Sequence, residues 1–140
     1  MFNCIAFTVP GEPQGKGRAR VGKVGNHARM FTPAKTVAYE GLIAHAAALA
    51  MHGAAPLQDD CRLEVEIVCS VPASWSAKKR AQALAGSIRP AKKPDSDNVL
   101  KAVCDGMNGV VWRDDVQAVE GSWRKRYGQT PGVHVMVAAL

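Results

Sequence analysis

The chain has 140 residues, of which 47% are hydrophobic, and this size and composition predict one small domain spanning residues 1–140. Eighteen lysines and arginines against twelve acidic residues give a formal charge of +6, which favours an anionic partner, nucleic acid first. No apolar segment reaches membrane-spanning length and no secretory signal is present, so we expect no membrane association and a cytoplasmic location. The four cysteines show no C-x-x-C spacing, which argues against a zinc site or a disulfide framework.

The first half of the chain predicts a strand, a basic loop and a helix. Residues 2–9 (FNCIAFTV) are rich in strand formers and end at a Pro-Gly pair. Residues 11–29 contain five cations, five glycines and no apolar periodicity, which predicts a mobile basic loop. A Thr-Pro pair then opens an alanine-rich run to about residue 51, which predicts the first helix.

The second half predicts further strands around two helices. Residues 62–71 alternate apolar and charged side chains, the period of a half-buried strand. Residues 74–85 favour a short helix, and residues 86–94 an exposed link. After an acidic helix, strands are predicted over residues 116–127 and 133–140.

The acidic helix lies in the segment 92–115 (KKPDSDNVLKAVCDGMNGVVWRDD), which contains five aspartates. Pro94 is excluded from a helix interior, whereas Asp97 is a suitable N-cap. The helix is therefore predicted to begin near Asn98 and to end within residues 106–109, where glycines favour a stop.

One face of this helix is polar. At about 100° per residue, Asp97, Lys101 and Asp105 fall within roughly 80° of arc, and the apolar residues occupy the opposite side. Asp95 comes just before the predicted cap, so its carboxylate can approach that of Asp97.

Taken singly, each acidic residue has a structural explanation. Asp97 suits a helix cap, Asp105 forms an ordinary i,i+4 pair with Lys101, and Asp114 and Asp115 are common turn residues. The set is harder to explain, because half of the twelve acidic residues lie in one short segment flanked by basic runs.

Clustered carboxylates repel one another and raise each other's pKa unless a cation lies among them. Mg²⁺ takes oxygen ligands and leaves coordination positions for water and phosphate, and Mn²⁺ can replace it. The pattern therefore predicts metal-dependent cleavage of a phosphodiester.

The expected phosphate contacts are basic residues on either side of the acidic helix. In the basic loop they are Lys16, Arg18 and Arg20, since cations flanked by glycine follow a backbone without reading sequence. Lys92 and Lys93 precede the acidic helix and would hold a polyanion beside it.

The run PDSDNVLKAVCDGMNGVVWRDDVQAVEG resembles the signature of the RusA family of Holliday-junction resolvases, an acidic D-x-D-N-x-x-K-x-x-x-D helix followed by D-D before a strand. The opening FTVPGEPQGKGRARVG is similar to the family's N-terminal strand and basic Pro/Gly loop. The resemblance implies a small α+β domain in which a mixed β-sheet packs against α-helices.

The resemblance also implies the functional residues. Asp95, Asp97 and Asp115 would bind the metal and, with the basic side chain of Lys101, form the catalytic set. The third ligand is either Asp114 or Asp115, and Asp115 is the preferred choice.

The implied function is Mg²⁺-dependent resolution of four-way DNA junctions by paired symmetric nicks, in a bacterial or phage-encoded protein. Two such nicks suit a two-fold homodimer, which presents two identical sites. The alternatives are a flap or nicking nuclease that uses the same chemistry, and a junction-binding protein that has lost catalysis.

Overall fold

Six strands and three α-helices follow one another in the part of the chain that the computed structural model describes, residues 4–140. In chain order they are β1 (Cys4–Pro10), β2 (Arg20–Val24), β3 (His27–Phe31), α1 (Ala34–Met51), β4 (Cys61–Ser70), α2 (Ala77–Leu84), α3 (Ser96–Met107), β5 (Ala118–Gly128) and β6 (Gly132–Ala139). A short 3₁₀ helix, Asp115–Gln117, precedes β5. The predicted first strand includes residues 2 and 3, which lie outside the described residues.

The main sheet has the order β1-β6-β4-β5. β4 pairs parallel to β5 and antiparallel to β6, so the sheet is mixed. Along β4, Val65 and Ile67 are buried while Glu64 and Glu66 are only half-buried. The alternation in the sequence therefore predicted this strand correctly, and its apolar side chains define the inner face of the sheet.

Helices α1 and α3 supply the other half of the core. Ile43 of α1, Val99 and Val103 of α3, and Val133 of β6 are all fully buried in the same cluster. A Cβ on Gly106 would lie 2.7 Å from Ile43 Cγ2, so this glycine permits the close approach of α3 to α1. The predicted α+β architecture is confirmed. Within residues 4–140, none of the helices combines the length and apolar character needed to cross a membrane.

The outer face of the sheet carries ion pairs instead of a helix. They are Arg62 to Glu64 at 3.0 Å and to Glu120 at 3.3 Å, Arg126 to Glu66 at 2.9 Å, and Arg124 to Glu66 at 3.5 Å. Partly exposed pairs of this kind contribute about 0–1 kcal/mol each. They balance the charge of this face more than they stabilise the fold.

The prediction of a mobile loop over residues 11–29 is wrong for its second half. β2 and β3 form a separate antiparallel hairpin, in which Arg20 pairs with Phe31 and Val24 with His27. Every residue of β3 and all but one of β2 are exposed. Because neither face of the hairpin is buried, no alternation of apolar and polar residues marked it in the sequence.

Candidate active site

Two aspartates stand at the start of α3. Asp95 is the N-cap, in an extended conformation, and its side chain makes no capping hydrogen bond. Its backbone carbonyl instead accepts a hydrogen bond from Val99 N at 3.1 Å. Asp97 is exposed in the first turn, where the helix dipole favours negative charge. The Asp95 carboxylate is thus not committed to holding the helix.

This placement corrects the predicted start of the helix. We expected Asp97 to be the cap and the helix to begin near Asn98, whereas the cap is Asp95 and the helix begins at Ser96. Proline restricts the residue before it and not the residues that follow, so a helix can begin two positions after Pro94.

A second group of acidic residues, the carboxylate cluster, consists of Asp105, Asp114 and Asp115. Burial, a hydrogen bond with the Asp114 carboxyl, and the charges of Asp114 and Asp105 raise the pKa of Asp115. Lys101 acts in the opposite direction and lowers the pKa. The Asp115 carboxylate is therefore partly shielded from water and lies near other acidic groups, a condition that a bound cation would relieve.

Lys16, in the segment before β2, contacts residues of both α1 and α3. Its backbone N donates to Asn98 O at 3.0 Å, and its ammonium contacts the Asp105 carboxylate and Glu40 Oε1, the latter at 3.2 Å. The hydrogen bond with Asp105 is the main reason that the pKa of Lys16 is raised. The first half of the predicted mobile loop is therefore anchored, and the ammonium that was expected on a phosphate forms ion pairs with Asp105 and Glu40 in this structure.

Gln117 fixes the turn that carries the last two aspartates. Its side-chain oxygen accepts hydrogen bonds from Arg113 N at 2.9 Å and Asp114 N at 3.2 Å. Its side-chain nitrogen donates to Leu57 O and Asp59 O at 2.9 and 3.0 Å. The side chain is buried, and its amide oxygen and nitrogen each form two hydrogen bonds. Gln117 was not among the predicted site residues, although the D-x-x-Q spacing from Asp114 has the form of a capping box.

A groove rich in cations, here called the basic groove, has a volume of about 720 Å³ and borders the two aspartates at the start of α3. Its charged lining residues are Arg89, Lys92, Lys93, Lys125, Asp95 and Asp97, and Trp123 adds an indole ring. The ammonium of Lys125 donates to the carbonyls of Lys92 and Pro94 and so holds the loop against β5. Lys125 and Trp123 were not predicted to belong to the site.

An adjoining groove is lined by Arg18, Arg20, Lys93 and Asp95, among others. All five predicted phosphate contacts therefore line grooves that also contain Asp95, and Lys16 in addition forms ion pairs with Asp105 and Glu40. The structure brings these cations and the first two predicted carboxylates together.

The third predicted carboxylate, Asp115, has Asp114 and Asp105 as its acidic neighbours. In the described part of the chain, no three Asp, Glu, His or Cys side chains are arranged so that they could hold a metal ion. The ligand set of Asp95, Asp97 and Asp115 thus stays a prediction.

Cys104 lies beside the carboxylate cluster but is unsuited to nucleophilic catalysis. Burial and the charges of Asp115 and Asp105 raise the pKa of its thiol to about 12. The thiolate, which is the reactive form, is therefore scarce at neutral pH.

The comparison with known proteins agrees with the fold and the acidic helix. The model of the family described as "Endodeoxyribonuclease RusA" matches residues 10–138, so the chain belongs to the RusA family. The chain is also similar to "Uncharacterized protein YqaN" of Bacillus subtilis (strain 168), with 34% identity over 139 residues, 97% of this chain and 96% of that protein.

We predict that Gln117→Leu destabilises the protein by about 2–4 kcal/mol, because the two backbone N–H groups and two carbonyls that the amide satisfies lose their partner. Urea denaturation measures the change. Gln58→Leu is the matched control, since Gln58 is exposed and its side-chain nitrogen donates one hydrogen bond, to Pro56 O at 3.1 Å. Equal losses of stability in the two variants would show that Gln117 does not anchor the turn.

Proposed function

We propose that the protein is a metal-dependent endodeoxyribonuclease that resolves four-way DNA junctions by paired symmetric nicks. The proposal is carried by the position of Asp95 and Asp97 on the border of the basic groove. A phosphate held by the cations of the groove would meet carboxylates, and the two repel unless a divalent cation joins them. Membership of the RusA family supports the same class of reaction.

Mg²⁺ is the proposed cofactor, with Mn²⁺ as a substitute, and Asp95, Asp97 and Asp115 would hold it. The donor chemistry fits, because hard divalent ions prefer carboxylate oxygens and the proposed set contains no histidine or cysteine. The raised pKa of Asp115 is further support, since burial and the neighbouring Asp114 and Asp105 disfavour its charged form and a bound cation would favour it. When bound, the ion supplies positive charge at the phosphoryl oxygens during hydrolysis.

Lys101 is the proposed cationic residue of the reaction. It follows Asp97 by one helical turn, is exposed, and lies close enough to Asp115 to lower its pKa. In the proposed reaction its ammonium stabilises the negative charge that develops on the phosphoryl group or on the leaving oxygen.

The cations of the two grooves are proposed to position the DNA. Arg18, Arg20, Lys92 and Lys93 would contact phosphates and set the register of the backbone without reading bases. Phosphate contacts of this kind suit a protein that selects DNA by its branched shape.

The proposed assembly is a homodimer. A four-way junction is resolved by two symmetry-related cuts, and a two-fold dimer presents two identical sites in the matching relation. A bacterial or phage origin and a cytoplasmic location go with this proposal, since that is where the junctions would form.

The two alternatives differ from the proposal in substrate and in catalysis. A flap or nicking nuclease would use the same carboxylates, so only the choice of DNA distinguishes it. A junction-binding protein without catalysis is disfavoured by the intact acidic helix with Lys101. Purified protein with Mg²⁺, tested in parallel on labelled four-way, flap, nicked and linear DNA, separates all three. Paired nicks in the junction alone support the proposal.

Asp97→Asn is predicted to reduce junction cleavage by at least about 100-fold, because a metal ligand is lost, while binding in chelator stays equal or tightens. Gel-shift and cleavage assays on one labelled junction measure both. Asp60→Asn, an exposed acidic residue outside both grooves, is the control and should cleave normally. Retained cleavage by Asp97→Asn would remove Asp97 from the site.

Added Mn²⁺ should raise the melting temperature of the wild type, because a ligand that binds only the folded state stabilises it, by about 2.7 kcal/mol at 100 times its Kd. Asp95→Asn, Asp97→Asn and Asp115→Asn should blunt this response, and Asp114→Asn should spare it. Thermal unfolding against Mn²⁺ concentration is the measurement. A response abolished in Asp114→Asn and kept in Asp115→Asn would move the third ligand to Asp114.

Replacing Arg18 and Arg20 by Gln should weaken junction binding and reduce its log–log salt slope by up to about 2, because each phosphate that is no longer neutralised lowers the slope by about one unit. Lys16→Gln should leave the slope nearly unchanged and lower the melting temperature, because Asp105 and Glu40 lose their cation.

The matched control for this change of charge neutralises Arg62 and Arg124 on the outer face of the sheet. Binding titrations at several salt concentrations give the slopes. A slope that falls equally in the control would mean that Arg18 and Arg20 act only through net charge.

A further inference from the structure

The structure describes all three tryptophans, and Trp123 is the most exposed of them. Trp112 is fully buried and its indole N–H donates to Asn108 Oδ1 at 2.8 Å, while Trp75 is half-buried against Tyr127. Trp123 is 56% exposed. It lies on β5, an edge strand of the main sheet, so no further strand covers it. A large apolar side chain is thus left in contact with water.

On the side of the basic groove, the surroundings of this indole are charged. Trp123 lines the basic groove with four cations and two carboxylates, the latter being the proposed metal ligands at the start of α3. Lys125, two residues further on the same side of β5, binds the carbonyls of Lys92 and Pro94. The ring therefore stands beside a loop that is fixed in place and next to the proposed cutting site.

An exposed aromatic ring in a cationic groove is the arrangement by which proteins bind single-stranded nucleic acid. The cations follow the backbone, and a base stacks on the ring whatever its identity, since every base has a π-face. Bases inside a duplex already stack on their neighbours, so the ring suits a base that is unpaired or unstacked. A second protein copy is a weaker occupant, because interface cores are depleted of charged residues.

We propose that Trp123 is a stacking platform for an unpaired nucleobase of the DNA strand whose phosphate lies at Asp95 and Asp97. The proposal rests on the proposed function and deepens it, because it names which part of a branched substrate the site holds. Stacking would select DNA that is locally open, as at the branch point of a junction, over continuous duplex.

The test compares Trp123→Ala, Trp123→Phe and the control Val119→Ala, which removes a 60% exposed apolar side chain from the start of the same strand, β5. Affinity for oligothymidylate, four-way junction and linear duplex is measured in chelator, with the salt slope of each. Trp123→Ala should weaken oligothymidylate binding by about 5- to 100-fold at an unchanged slope, because the variant removes stacking and leaves every charge in place. Trp123→Phe should recover most of the affinity, and duplex binding should change least.

Three results would overturn the proposal. The first is that Trp123→Ala binds oligothymidylate as the wild type and Val119→Ala do. The second is that Trp123→Ala changes a dimer to a monomer in sedimentation, which would make the ring a contact between copies. The third is a wild type that neither binds nor cuts junctions, which would remove the proposed function as well. Junction cleavage by the wild type with no effect of Trp123→Ala on affinity would remove the stacking role alone.

Discussion

The contact of the Lys16 ammonium with two carboxylates, one on α1 and one on α3, is the interaction on which the arrangement of the site depends. It joins the segment before the hairpin to both helices, and the Lys16 backbone bond to Asn98 O adds a second tie at α3. The three charged side chains are only 21–26% exposed, so water screens them incompletely. Removing one charged partner from such a group lowers the stability of the fold by more than the intact ion pair adds to it, because the remaining charges stay partly desolvated.

This ion group also divides the acidic residues by role. Asp105 is neutralised within the fold, whereas Asp115 keeps a raised pKa and the Asp95 side chain makes no capping bond. Asp95 lines both cationic grooves, whereas Asp115 lies with Asp114 and Asp105, where burial and their charges raise its pKa.

Much of the fold could be predicted because its elements have one buried face. The alternation along β4 and the apolar stripe of α3 each reflect burial on a single side, and both elements were found within a few residues of their ends. The β2–β3 hairpin has no buried face and gave no such signal.

The site was predictable to the extent that its residues are close in sequence. Asp97 and Lys101 share one helix and Asp95 is its N-cap, so their grouping follows from its geometry. The role of Gln117 depends on carbonyls at residues 57 and 59, and that of Lys125 on a loop some thirty residues earlier, contacts that only the folded chain creates. The ion pair of Lys16 with Asp105 is likewise a contact between distant segments, so the sequence did not predict it.

The ion pairs on the outer face of the sheet have a consequence for how DNA approaches. Three arginines and three glutamates cancel there, so the formal charge of +6 resides on the remainder of the molecule. With DNA as the proposed substrate, this uneven distribution would favour approach of the polyanion toward the cationic grooves before any contact forms. For the proposed DNA substrate, the neutral face would raise the fraction of collisions that begin in the productive orientation, and salt at about 0.1–0.15 M would screen this effect beyond about 8–10 Å.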